Sequence, residues 1–469
     1  MIKHGYKAFF LKFDASLRYA LGTRLWQTFA SCLTLWLILH NTQPAEQGVF
    51  YTFTSLANLQ IFFELGLSFV ILQTTSHFFK DLSWGAHGAV LGLQADLDIL
   101  WAFSQKALRI YVALACGFVL VMIPLGLGFF NEPAVSGSQG ALIHLSWVLL
   151  VLGMAVNLLC APLLAILEGS GKVMEIYRLR LRQLLMANIL AWVVFYLTNV
   201  LFIIVVNTWI TAATTVFWLL KTHRQFLLLL ARSVFKPLPF SWRKEIWPMQ
   251  WRIALSWMSG YILNQIFTPL LYHYQGAVIS GQMGICLLLA NMLGLFSITW
   301  VTIHSPKMGE LVAQSNRKSL DEVFFAAFWQ SVFIFILGAT GILGLGWLLR
   351  GQDIITRFLP WLEMALLLLA FFFVHIIGVL SLYLRAHRIE LFAPISVVGA
   401  GLIMATAWFG AVHYGSLGVT WSILIVNACY GFPSALWLWI KFKRKWRDDN
   451  ERNNDESETY NQHSNVESS

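Results

Sequence analysis

Charge is scarce in this chain. Asp, Glu, Lys and Arg make up 12% of its 469 residues, while 58% are hydrophobic and 15% aromatic. A soluble domain carries roughly twice that charge, so an ordinary globular protein is excluded. Acidic residues are the scarcer sign, 23 against 32 basic. Cysteine is rarer still: Cys32, Cys116, Cys160, Cys286 and Cys429 all lie in apolar runs without metal-ligand spacing. That argues against disulfides and zinc and for small apolar fillers. Signatures of catalysis are also missing. There is no H-E-x-x-H or nucleophile elbow, and "EGSGKVMEIY" (168–177) lacks the phosphate-loop frame and reads as a turn and loop. An enzyme is not expected.

What the chain does have is apolar runs of about 20 residues, the length that crosses a bilayer. Twelve are expected, at 18–40, 49–76, 109–131, 141–166, 183–201, 203–225, 253–273, 281–304, 323–349, 359–384, 394–413 and 418–440. The first starts too late and is too polar for a cleavable signal peptide. With both termini inside, 30 of the 32 basic residues fall on the cytoplasmic side, leaving Arg350 and Arg357 outside. The net charge of +9 is thereby a matter of topology, with no basic soluble domain to bind nucleic acid.

External loops are short, and internal segments 77–108 and 226–251 mix apolar and charged residues as surface-lying helices do. The expected organisation is a six-helix lobe over 1–225, a cytoplasmic linker with an amphipathic segment over 226–252, and a second six-helix lobe over 253–440. A disordered cytoplasmic tail follows over 441–469. The tail opens with "KFKRKWR", suited to anionic headgroups, and ends too polar to fold.

The halves repeat. At an offset of 228 residues, nine of 51 positions are identical from Arg24/Arg252 to Thr74/Thr302, among them Gly66/Gly294. Arg24, Thr28, Ser31 and Leu35 recur as Arg252, Ser256, Ser259 and Leu263, intervals of four, three and four that keep each set on one helical face. Six helices per half make the repeat parallel, with a pseudo-two-fold axis along the membrane normal and a central cavity. The fold class expected is an all-α membrane protein of about twelve transmembrane helices in two such lobes.

Few residues inside the spans carry chemistry. Glu64 sits in the second run, sharing a helical face with Gln60, Ser68 and Thr75 at about 100° per residue. A mid-bilayer carboxylate costs roughly 2.5–3.5 kcal/mol and faces a bundle interior or watery cavity. Glu64 is either an ion-coupling or substrate site or a structural carboxylate. Arg24 and Arg252, with Thr28, Ser31, Ser256 and Ser259, either bind phosphate or diphosphate through bidentate guanidinium contacts or are topogenic charges reaching headgroups. His375 and Glu363 join a proton relay or bond neighbouring helices. Asn157, Asn264, Gln265, Asn291 and Asn427 read as interhelical glue. No cofactor is expected beyond a coupling proton or sodium ion.

"EQGVFYTFTSLANLQIFFELGL" (46–67), "EGSGKVMEIYRLRLRQ" (168–183) and "FSWRKEIWPMQWRIALSWMSGYI" (240–262) resemble the polysaccharide transporter branch of the multidrug/oligosaccharidyl-lipid/polysaccharide exporter superfamily, which includes O-antigen and other oligosaccharide-lipid flippases. The resemblance runs from about residue 15 to 440. It implies a V-shaped pair of lobes, alternating access, and transfer of an undecaprenyl-diphosphate-linked oligosaccharide across a bacterial inner membrane, with membrane lipids and other polysaccharide-assembly proteins as partners. Cavity cations would hold the diphosphate, a role open to Arg24 and Arg252, and an ion gradient would drive transport, a role open to Glu64. The scarcity of other intramembrane charge departs from that pattern and leaves room for a less acidic substrate. The competing readings are a cation-coupled multidrug exporter of the same fold and a membrane-embedded polymerase or acyltransferase.

Overall fold

The computed structural model describes residues 15–85, 89–131, 138–232, 242, 246–314, 316–387 and 392–446. Residue contacts group the chain into two units, Met1–Tyr261 and Ile262–Ser469.

The first unit opens with α1 (Ala15–Asn41) and α2 (Pro44–Ala57). Pro44 takes the first helical position, where its fixed φ suits the helix and its missing N–H costs nothing. Glu46 completes the start by accepting the Gln43 backbone N–H at 2.9 Å. A 3-10 turn (Asn58–Gln60), α3 (Ile61–Glu64) and α4 (Leu67–Phe78) follow. The short strands β1 (Ser83–Trp84) and β2 (Val90–Leu91) pair antiparallel, Ser83 opposite Leu91. Then come α5 (Gln94–Phe129), α6 (Ser138–Gly169), α7 (Val173–Leu197), α8 (Leu201–Thr222) and α9 (Arg224–Arg232). The helix α10 (Trp247–Gln265) packs in this unit as far as Tyr261.

Two expectations are corrected here. Residues 77–108 do not form one surface-lying helix: a hairpin occupies the first part, and α5 runs unbroken from Gln94 into the apolar span. The charged residues Lys106 and Arg109 lie within α5 and do not end it. Nothing near them breaks a helix, since the first glycine or proline after Gln94 is Gly117. The second run, expected continuous over 49–76, is broken at Leu65 and Gly66.

The second unit holds α11 (Phe267–Gln275), α12 (Ala277–Ala313), α13 (Arg317–Leu348), α14 (Trp361–Ala386) and α15 (Ala393–Val426). A π-helical turn over Asn427–Gly431 carries α15 on to 446, so the tail expected to be disordered from residue 441 is helical over its first six residues, while 447–469 lie outside the described residues. Asn316 caps α13 by accepting the Ser319 N–H at 3.2 Å. Within α15, Gly415 is non-helical (φ 63°, ψ −141°) and turns the chain back. Gly410 and Gly418 then lie backbone to backbone, each occupying the space where the other's Cβ would stand, and the Ser422 hydroxyl donates to the Thr406 carbonyl at 2.8 Å. α15 is thus two antiparallel crossings joined by one glycine.

Among the described residues, eight helices are long and apolar enough to span a membrane, nine when the bent pair around Leu65 counts as one. The chain is an all-α, multi-pass membrane protein.

Candidate functional site

The break in the second crossing builds the site. Leu65 (φ 50°) and Gly66 (φ 69°) are both left-handed, and the flanking helices meet at 43°. A left-handed leucine costs roughly 1–2 kcal/mol, and a broken span in hydrocarbon persists only where its backbone groups find partners. They do. The Leu65 N–H donates to the Ile61 carbonyl at 2.8 Å, and the Leu65 carbonyl accepts the Gln250 side-chain amide at 2.6 Å. Gly66 is pressed by α10: a Cβ there would stand 2.5 Å from Ile253 and 3.4 Å from the Trp257 ring. Further along α10, the Tyr261 hydroxyl donates to the Ser55 carbonyl at 3.0 Å and its ring meets Phe62 edge-on at 5.2 Å.

Glu64 is the last residue before the break, and it is partly buried. The hydroxyl of Tyr111, wholly buried on α5, donates to Glu64 Oε1 at 3.3 Å. Ser68, the second residue of α4, meets the same hydroxyl. Two sides of a helix break are therefore joined through one phenol. Gln60 lies in the 3-10 turn, partly buried. Thr75 is not with them. It is buried against Gly169 of α6, because two left-handed residues interrupt the 100° step on which the common face rested.

The arginine-headed stripes fare differently. The Arg24 side chain lies outside the described residues. Arg252 is exposed, its guanidinium 5.7 Å from the Trp251 ring. Ser256 is partly buried, while buried Ser259 donates to the Leu255 carbonyl of its own helix at 2.7 Å. Thr28 is exposed and Ser31 partly buried on α1. In the second unit, buried His375 bonds Ser331 across α14 and α13 at 2.9 Å and stacks on Phe335 at 5.2 Å. Glu363, near the start of α14, meets Ser416 beside the glycine turn.

Sequence reasoning missed Tyr111 and Gln250. Tyr111 gave no signal among thirteen tyrosines. Gln250 stood just ahead of the seventh run, where a polar residue reads as a loop.

These features define a polytopic α-helical membrane protein with a carboxylate held at a broken span. No family model matches the chain, and no curated protein matches its sequence. Solved structures do match its fold. An inward-facing multidrug resistance MATE family transporter of the MOP superfamily is 16% identical, covering 87% of this chain and 95% of its own, with a TM-score of 0.58. A MOP superfamily transporter from Pyrococcus furiosus is 13% identical over 92% and 96%, at 0.54. A eukaryotic MATE transporter is 13% identical over 93% and 100%, at 0.52. The chain has the fold of MOP superfamily transporters.

Proposed function

We propose that the protein is a cation-coupled exporter of organic molecules, with Glu64 as the coupling carboxylate for a proton or sodium ion. The observation that carries the reading is Glu64 itself, an acid kept inside a span at a helix break and met by the Tyr111 hydroxyl at 3.3 Å. A carboxylate set where two helix segments join takes up or releases a cation while the joint changes angle. The multidrug resistance transporters among its fold neighbours support this reading. The chain resides in a bacterial inner membrane with both termini cytoplasmic, as the distribution of its basic residues favours.

A second reading, transfer of an undecaprenyl-diphosphate-linked oligosaccharide alongside polysaccharide-assembly proteins, is favoured by Arg252. Its exposed guanidinium heads the α10 stripe, and such a fork binds diphosphate.

Everted membrane vesicles separate the two. Under the first reading, an organic cation added to energised vesicles dissipates the pH or sodium gradient with wild type and not with Glu64→Gln. If both dissipate it equally, Glu64 is structural. If neither does, while lipid-linked oligosaccharide accumulates in the cytoplasmic leaflet of cells lacking the protein, the second reading replaces the first.

A further inference from the structure

At the end of the second unit where α13 begins and the last helix ends, three helices enclose a cavity of about 400 Å³. Arg317 and Asp321 enter from α13, Tyr383 and His387 from the end of α14, and Lys443 and Arg444 from the last helix, with Trp439 and Trp446 as walls. The Asp321 carboxylate accepts Lys443 at 2.7 Å and the Tyr383 hydroxyl at 3.3 Å. His387 stacks flat on Trp446 at 3.5 Å. Burial holds the His387 imidazole below its ordinary value, so the ring is neutral near pH 7. Among the described residues that line the cavity, Arg317, Lys443 and Arg444 stand with Asp321, a formal net charge of +2.

The surface of α13 continues from this cavity. Arg317, Asp321, Phe325, Trp329 and Phe333 follow at intervals of four, which places them along one slowly turning face. Below the charged pair that face is apolar and bare, with Trp329 and Phe333 each 65% exposed. Lys443 joins the two parts, its ammonium 5.0 Å from the Phe325 ring and 5.0 Å from Trp439. A cationic, aromatic-walled hollow above an apolar strip has the two chemistries of an anionic phospholipid in register, a phosphate and then an acyl chain.

We propose that this cavity is a binding site for the phosphodiester headgroup of an anionic membrane lipid, whose acyl chain lies along Phe325, Trp329 and Phe333. Basic pockets between spans at the cytoplasmic face hold such headgroups. The shape and charge also distinguish the site from a general attraction of the basic tail to the membrane surface. The proposal is independent of the transport reading, since none of these residues belongs to the Glu64 site.

The test is native mass spectrometry of the full chain titrated with phosphatidylglycerol or phosphatidylcholine of the same acyl length. Phosphatidylglycerol should be retained selectively. Arg317→Gln with Arg444→Gln should weaken it by roughly fivefold for each charge removed, and Trp329→Ala should weaken both lipids alike. Because Arg444 is exposed, Arg444→Glu alone keeps the test readable if the double variant folds poorly. Equal retention of the two lipids, or unchanged retention in Arg444→Glu, would overturn the site. Displacement of the lipid by millimolar inorganic phosphate would reassign it to a soluble anion.

Discussion

The Gln250 side-chain amide donates to the main-chain carbonyl of Leu65 across 2.6 Å, so a residue 185 positions later in the chain closes a hydrogen bond that the broken helix opened. The repeat sharpens the point. Leu65-Gly66-Leu67 recurs as Leu293-Gly294-Leu295, yet the second copy lies inside the unbroken α12 while the first takes two left-handed residues. The same three residues adopt both conformations, so the break is imposed by what surrounds it: Gln250 on the carbonyl, and Ile253 and Trp257 against Gly66.

Gln250→Leu should therefore weaken the break without emptying the space it fills. Interhelical hydrogen bonds inside membranes are worth roughly 0.6–2 kcal/mol, and a drop of a few degrees in thermal unfolding midpoint is expected. Gly66→Ala should cost more, because it adds left-handed strain of roughly 1–3 kcal/mol to the collision with Ile253. If Gly66→Ala is as stable as wild type, the break is not held in the way these contacts indicate.

The crossings were legible because a bilayer admits few solutions: an apolar run of spanning length forms a helix across it. Glu64 was legible for the same reason, as the one acid in its run. The break beside it was not. Leu-Gly within an apolar run is compatible with a helix, as α12 demonstrates, and residues 65–67 are identical in the two copies, which differ at Glu64 and Met292. Tyr111 and Gln250 stayed hidden because their roles depend on which helices meet. The helical-face argument failed at Thr75 for an instructive reason: periodicity carries a face only as far as the helix is continuous.

At the site itself, Glu64 and Tyr111 should act as a unit. Glu64→Gln should abolish ion-coupled transport while leaving expression intact. Tyr111→Phe, which removes the donor 3.3 Å from the carboxylate, should reduce transport by a smaller factor. The double variant should be no worse than Glu64→Gln alone, since the phenol works through the acid. Additive losses in a vesicle transport cycle would mean that Tyr111 has a separate role.

The glycine hairpin of α15 offers a test in the second unit. Gly410 and Gly418 touch through their backbones, so Gly410→Leu must push two crossings apart in a close-packed interior. Loss of folded protein on size-exclusion chromatography is expected. Gly401→Leu, on the exposed face of the same helix with open space around its Cα, should fold normally and serves as the control.

A pH effect is expected from the loops at the end of the first unit. His223, just past α8, is 2% exposed between Trp218 and Trp84. Burial lowers its pKa first, the nearby Lys172 adds to that, and the Glu175 carboxylate 3.3 Å away opposes it. The sign follows from proton counting. An unfolded chain takes up a proton at His223 near the ordinary value of about 6.5, while the folded protein resists until lower pH. Stability is therefore unaffected by this group well above 6.5 and falls as the pH drops below it, by at most about 1.4 kcal/mol per pH unit for one proton. His223→Gln should flatten the decline in thermal midpoint between neutral pH and pH 5 while changing little at pH 8. Glu175→Gln, which removes a nearby carboxylate that favours the charged ring, should steepen it. If His223→Gln leaves the acid side of the profile unchanged, the imidazole is not the group that makes this end of the protein sensitive to acid.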